Sequence, residues 1–252
     1  MKPWWHAVFP ASWRPTGYLH RRIVEREPLS VLSGPFAGLR YIAMDPATAW
    51  LPKLLGTYER ELHGVCAEIA ALKPRATICV GSAEGYYAVG LLWRGWTLKV
   101  IAFESDATRR DQLAQMAALN EVADRVEIRG EGNTPALAAA LAACAEPPLI
   151  VCDIEGAEAH LLDPAHCPGL AAAALLVELH ETLAPGVTAT LRERFAATHA
   201  IREIAQQPRT AADFPLRWPV AWAIPFRYKR GYLEEGRVGQ MSWLWLRPKS
   251  RP

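Results

Sequence analysis

A chain of 252 residues that is 51% hydrophobic and 21% charged, with a formal net charge of +2, has the composition of a folded globular protein with room for one large α/β domain or two small ones. The near-neutral charge gives no electrostatic case for nucleic acid as the main partner, and no stretch approaches the length of a membrane-spanning helix, so no integral membrane segment is expected. The charge is uneven, because residues 201–252 hold ten Lys/Arg against four Asp/Glu, which leaves the first 200 residues at −4.

The chain starts MKPWWHAVFPASWRP, aromatic and broken by prolines, and lacks the continuous apolar run of a signal peptide. It reads as an arm packed on the domain. The five cysteines (Cys66, Cys79, Cys144, Cys152, Cys167) contain no C-x-x-C pair, so neither a disulfide framework nor a zinc site is expected. A reducing, cytoplasmic setting follows from that usage.

RIVEREPLSVLSGPFAGLRYIAM predicts two short strands around Ser33-Gly34-Pro35, in the manner of a hairpin. LPKLLGTYERELHGVCAEIAALKP carries Leu62, Val65, Ile69 and Leu72 at helical spacing. Strands and helices then alternate: strands at 76–80, 98–104, 125–130, 149–153 and 174–180, with helices from Gly85, over 108–120, after Thr134 and through LRERFAATHA. That order argues a doubly wound, mostly parallel Rossmann-like sheet covered on both faces. IREIAQ and MSWLWLRP have no helix pattern between them, so they are expected to pair antiparallel as a hairpin closing the sheet edge. The domain scheme is an arm and hairpin over 1–46 and the Rossmann-like domain over 47–252. Within the latter, 208–240 is a proline- and aromatic-rich insertion suited to a substrate lid.

Ligands of open α/β sheets bind at the carboxyl ends of the strands. There the first strand runs into Gly81-Ser82-Ala83-Glu84-Gly85, whose glycines permit a sharp turn and close approach of a ligand to backbone. It is not the dinucleotide fingerprint, since Ala83 takes the second glycine position. The second strand ends in Glu104, suited to accept hydrogen bonds from both hydroxyls of a ribose. The third ends Gly130-Glu131-Gly132-Asn133, which suits either a nucleobase edge or an ordinary loop with a helix cap.

The fourth strand, LIVC, runs into Asp153, Glu155 and Glu158; the fifth ends Glu178-Leu179-His180-Glu181. Such a gathering of carboxylates and one imidazole can bind a cationic group, hold a metal or perform acid–base chemistry, while Glu155 and Glu158 also suit a helix start. A metal held by Asp153, Glu178 and His180 is the least favoured of these uses, and no metal is assigned.

These residues resemble the FkbM-type class I methyltransferases that use S-adenosylmethionine. VGSAEGYY is similar to the family's glycine loop followed by Gly-Tyr-Tyr, AFESD to its acid-ended strand, DIEGAE to D-x-E-G-x-E, and VELHE to E-L-H-[DE], over about 51–180 with an echo in SWLWL. The resemblance implies a seven-stranded sheet with the last strand antiparallel and S-adenosylmethionine as cofactor. It implies that Gly81, Ser82, Ala83, Glu84, Gly85 and Tyr86 lie against the methionine part, Glu104 and Ser105 at the ribose, Glu131 near the adenine, and Asp153 beside the point of methyl transfer. The family usually has an acid two residues before the first loop glycine, where this chain has Cys79; Glu84 or Glu59 would take over its role.

The expected activity is O-methylation of a small-molecule or sugar-containing acceptor, with His180 as base and Asp153 as second choice, nucleic acid being set aside as a partner and oligomeric state left open. A non-catalytic cofactor-binding scaffold and an NAD-dependent oxidoreductase are the alternatives.

Overall fold

β1 (Ala76–Val80), β4 (Leu149–Cys152) and β5 (Ala174–Leu179) are apolar along almost their whole length rather than alternating, and all but the first residue of β1 and of β5 is buried. Strands of that kind need both faces covered, which is the interior of a parallel sheet with helices above and below. The computed structural model, which describes residues 14–45, 48–216, 219–237 and 239–249, has that sheet. With β2 (Lys99–Phe103), β3 (Val126–Arg129), β6 (His199–Ala205) and β7 (Ser242–Pro248) it contains seven strands in the order β3-β2-β1-β4-β5-β7-β6. Six run one way and β7 runs against them. This is the doubly wound Rossmann-like arrangement of the class I methyltransferase fold.

The closing pair differs from a simple edge hairpin. β6 and β7 do pair antiparallel, but β7 lies between β5 and β6, so β6 is the edge. The reason is side-chain chemistry. Trp243, Leu244, Trp245 and Leu246 are all at most 2% exposed and need neighbours on every side. β6 carries exposed Arg202 and Glu203, the charges that suit an edge and discourage further strand addition.

Two other expectations are revised. The segment 51–74, with its helical spacing from Leu62 to Leu72, is three pieces: α2 (Trp50–Leu55), a 3-10 turn at Arg60–Leu62 and α3 (His63–Leu72). Gly56 ends α2 with φ +76°, and a Cβ there would sit 1.9 Å from the Ser33 carbonyl oxygen. Leu62, Val65 and Ile69 are buried, whereas Leu72 is 50% exposed. The hairpin about Ser33 shrinks to one antiparallel bridge, Ser30 to Arg40, and its first two residues, Arg22 and Ile23, belong to helix α1 (Pro15–Ile23). Residues 1–13, the aromatic arm, and Trp218 of the insertion lie outside the described residues.

The described residues up to Arg60, together with Gln207–Arg237, form one compact unit; those from Glu61 to Gln206, with the segment after Arg237, form the other. In the first unit α2 packs on the Arg230–Tyr232 turn, and the insertion adds α9 (Pro219–Ala223). The second unit holds the whole sheet with its crossover helices: α4 (Tyr86–Trp93), α5 (Ala107–Leu119), α6 (Thr134–Ala142), α7 (Glu158–Leu161) and α8 (Val187–Phe195). The chain winds outward from β1 through β2 to β3, then returns to lay β4 on the other side of β1. The loops leaving β1 and β4 therefore diverge, and a crevice opens between them at the carboxyl ends.

Candidate functional site

The loop after β1 is shaped by backbone contact. Gly81 has φ +76°, and a Cβ on it would lie 1.7 Å from the carbonyl oxygen of Asp153. Asp153 in turn donates its backbone N–H to Val80 O at 3.0 Å, so the tips of β1 and β4 are stitched together at the crevice. Ser82 donates from both its backbone N–H and Oγ to Phe103 O, each at 3.0 Å. Ala83 has φ +46°, a left-handed conformation that an L side chain adopts only under constraint. Gly85, φ +98°, then starts α4, where a Cβ would meet Leu113 at 2.3 Å. Glu84 and Tyr86 are buried behind the loop.

Glu104 supplies the constraint. Its Oε2 accepts from Ala83 N at 2.7 Å and its Oε1 from Asp106 N at 2.9 Å, with the residue 7% exposed. The acid at the tip of β2 thus clasps the glycine loop on one side and the start of α5 on the other. Each carboxylate oxygen keeps a lone pair for a further donor. Asp106 caps α5 by accepting from Arg109 N at 2.9 Å, and Arg110 donates to the carbonyls of Glu104 and Ser105. Ser105 and Glu131 are exposed at the same end of the sheet. Gly132 passes so close over β1 and β2 that a Cβ would come within 2.6 Å of Val80 and 3.0 Å of Phe103.

On the other side of Asp153 the chain brings four ionisable groups together. Nδ1 of His180 lies 2.6 Å from Oε1 of Glu158, a residue with no exposed surface. Gly156 N donates to that same oxygen at 3.0 Å. Nε2 of His180 faces Glu155 Oε2 at 3.4 Å and Asp153 Oδ1 at 3.6 Å. The turn that presents the ring is held by Leu183 and Ala184 N–H groups donating to His180 O. Burial alone would lower the pKa of His180; the hydrogen bond to Glu158 and the charges of Asp153, Glu158 and Glu155 outweigh it and raise the pKa above its ordinary value. For Glu158, burial would raise the pKa, but the bonds from His180 and Gly156 prevail and lower it.

Sequence spacing places Glu178 with His180 on one face, yet the group that converges is Asp153, Glu155 and His180; Glu178 is buried in β5 opposite Trp243. Glu59, expected with Glu84 as a partner for the cofactor's amino group, accepts from Arg237 at 2.8 Å within the first unit, where Glu235 also joins Arg237. Cys79 cannot substitute for the missing acid, because burial pushes its thiol up to about 12 and keeps it neutral. What sequence reasoning missed is the part Glu158 plays: it counts there among the gathered carboxylates or as a helix-start acid, with no bond to His180 foreseen. Its signal was the turn between Asp153 and α7: Glu155 at φ +53° and Gly156 at φ +103° fold the chain back and set Glu158 under the strand tips.

No family model matches this chain, and no curated protein does. Solved structures do. TrmK, a tRNA methyltransferase of Bacillus subtilis, is 14% identical over 72% of this chain and 64% of its own length, with a TM-score of 0.45. An O-methyltransferase from Bacillus cereus in complex with SAH is 15% identical over 82% of this chain and 83% of its own, with a TM-score of 0.45. An rRNA methylase from Streptococcus thermophilus is 12% identical over 75% of this chain and 97% of its own, at 0.48. The chain therefore spans under two thirds of TrmK. The presence of tRNA and rRNA methyltransferases among these structures overturns the expectation, drawn from net charge, that nucleic acid is set aside as a partner. Among the described residues no helix is long and apolar enough to cross a membrane.

Proposed function

We propose that this chain is an S-adenosylmethionine-dependent methyltransferase of the FkbM type, acting on an oxygen of a small or sugar-containing acceptor. The observation that carries the reading is the Glu104 carboxylate clasping Ala83 at the point where the sheet's winding reverses. Gly81 and Gly132 let their loops pack directly on the Asp153 carbonyl and on Val80 and Phe103, which draws the loop backbone in tightly around the strand tips where a ligand of such a sheet binds.

Glu104 would accept from ribose hydroxyls, with the loop 81–86 along the methionine part and Glu131 beside the base. When bound, S-adenosylmethionine supplies an electrophilic methyl group. The protein's part is to align an acceptor oxygen with it, a contribution worth up to roughly 7–11 kcal/mol in ideal geometry. Asp153 and His180 stand on the acceptor side, where help in removing the hydroxyl proton adds about 10²–10⁴-fold.

The test is calorimetric titration with S-adenosylhomocysteine, S-adenosylmethionine and NADH, beside Glu104→Ala. Binding near micromolar, about −8 kcal/mol, of the first two but not NADH, lost in the variant, is expected. Binding of NADH alone, or of none, sinks the proposal. An acceptor screen follows, with hydroxylated small molecules, glycans and RNA as its arms. One observation favours a second reading, a cofactor-binding scaffold without turnover: the neutral Cys79 leaves the position of the family's acid uncharged. Binding without transfer to any acceptor would select it.

A further inference from the structure

We propose that Asp153, Glu155 and His180 form a binding site for one divalent first-row metal ion, of the Mn²⁺ or Zn²⁺ class, with Glu158 as the brace behind the histidine. The argument begins with the ring. His180 has a side chain only 7% exposed, and its Nδ1–H donates to the wholly buried Glu158. With Nδ1–H given to Glu158, Nε2 is the nitrogen left for a metal, which would take the place of the proton that the ring otherwise carries there. Nε2 makes no hydrogen bond among the described residues; it points at two carboxylate oxygens 3.4 and 3.6 Å away. Nε2 and one oxygen of each of the two carboxylates lie within 4.8 Å of one another.

Two carboxylates gathered on one ring nitrogen call for a positive charge there, which a proton on Nε2 or a metal ion in its place supplies. The spacing suits a metal: ligand atoms about 2.1 Å from an ion stand about 3.0 Å apart at right angles and about 3.4 Å apart at the tetrahedral angle. The donor set of one imidazole and two carboxylates suits Mn²⁺ or Zn²⁺, whereas Mg²⁺ and Ca²⁺ prefer oxygen alone. The carboxylate–histidine–metal relay that Glu158 would complete is the usual way a protein orients a histidine ligand.

Access is asymmetric. Glu158 and His180 close the inner side, while the Glu155 side chain is 78% exposed and that of Asp153 39%. An ion held there keeps open positions toward solvent. On the methyltransferase reading, on which this step alone rests, an acceptor hydroxyl takes one of them. Its oxygen is polarised by the ion, its proton leaves to solvent, and His180 serves as ligand instead of base.

The experiment needs no cofactor and no acceptor. Purified full-length protein, stripped with chelator, is titrated with MnCl₂ and followed by the electron paramagnetic resonance of free Mn²⁺, with ZnCl₂ as competitor. Saturation at one equivalent is expected, weakened at least tenfold by Glu155→Gln, an exposed position whose change leaves the circular dichroism spectrum as it was. Nitrogen modulation from a coordinated imidazole is expected in the wild-type pulsed spectrum and absent in His180→Gln. Binding weaker than millimolar, binding indifferent to Glu155→Gln, or a spectrum without nitrogen coupling overturns the site. S-adenosylhomocysteine titrated into the same metal-free sample reports separately on the cofactor, so either proposal can fail alone.

Discussion

Glu158 lies entirely out of solvent with Oε1 2.6 Å from Nδ1 of His180, while Glu155, three residues earlier, faces the other nitrogen of the same ring from the surface. The two glutamates of DIEGAE thus face different nitrogens of one imidazole, and they differ in what they cost to remove.

Glu158→Ala leaves a buried histidine beside an empty space and strips Gly156 N–H of its acceptor. Loss of about 3 kcal/mol of stability is expected, the scale for breaking a buried ionic pair by removing one partner. Glu155→Ala should stay within about 0.5 kcal/mol, as exposed substitutions do. Urea unfolding of both variants checks the contrast; equal effects would mean the buried bond does not hold the strand tips together.

Gly81→Ala puts a methyl group into the Asp153 carbonyl oxygen and forces a left-handed alanine. Either β1 and β4 separate at their tips or the loop changes path. A stability loss of more than about 2 kcal/mol is expected, with S-adenosylhomocysteine binding abolished before the fold is lost. Gly95→Ala, at φ +67° but with nothing within 4 Å of its Cβ, should show only the smaller backbone cost of about 1 kcal/mol.

Glu104→Gln keeps the size of the side chain but replaces one acceptor oxygen with an NH₂ group facing a backbone donor, either Ala83 N or Asp106 N. A loss of about 1–3 kcal/mol follows from the donor left unsatisfied. The loop should also show faster amide exchange at Ala83. If Ala83 exchange is unchanged, Glu104 does not hold the loop.

How far the sequence is legible varies with the kind of interaction. The parallel strands could be read because their burial is written locally, as in LIVC and ATICV. The place of β7 could not: whether SWLWL pairs with one strand or two depends on what lies beside it, and only its apolar residues on both faces hint at the answer. The same holds in the crevice. Gly81, Glu104 and Asp153 were found from their positions at strand tips, whereas the His180–Glu158 bond spans 22 residues and depends on two positive-φ residues that no spacing rule reveals. Glu59 and Arg237, 178 residues apart, show the same limit, an ion pair made by tertiary contact that no local pattern announces.

His199 gives a pH signature apart from the crevice. Its Nε2–H donates to Ala173 O at 2.8 Å, and its Nδ1 accepts from Thr198 Oγ1 at 2.8 Å, so the neutral ring is fully satisfied while the ring is nearly buried. Burial first lowers its pKa; the carbonyl of Ala173 opposes this and the charge of Lys249 adds to it, with a net shift below the ordinary 6.5. The unfolded chain therefore takes up a proton at a higher pH than the folded one. Stability attributable to His199 is fully present above about pH 6.5, declines as the pH falls through the folded-state value, and is constant below both. His199→Gln removes the titration, so the stability difference between wild type and variant should shrink between pH 8 and pH 5 in urea unfolding. A difference that grows on acidification would mean that the folded protein favours the charged ring, and the tautomer drawn from the Ala173 contact would be wrong.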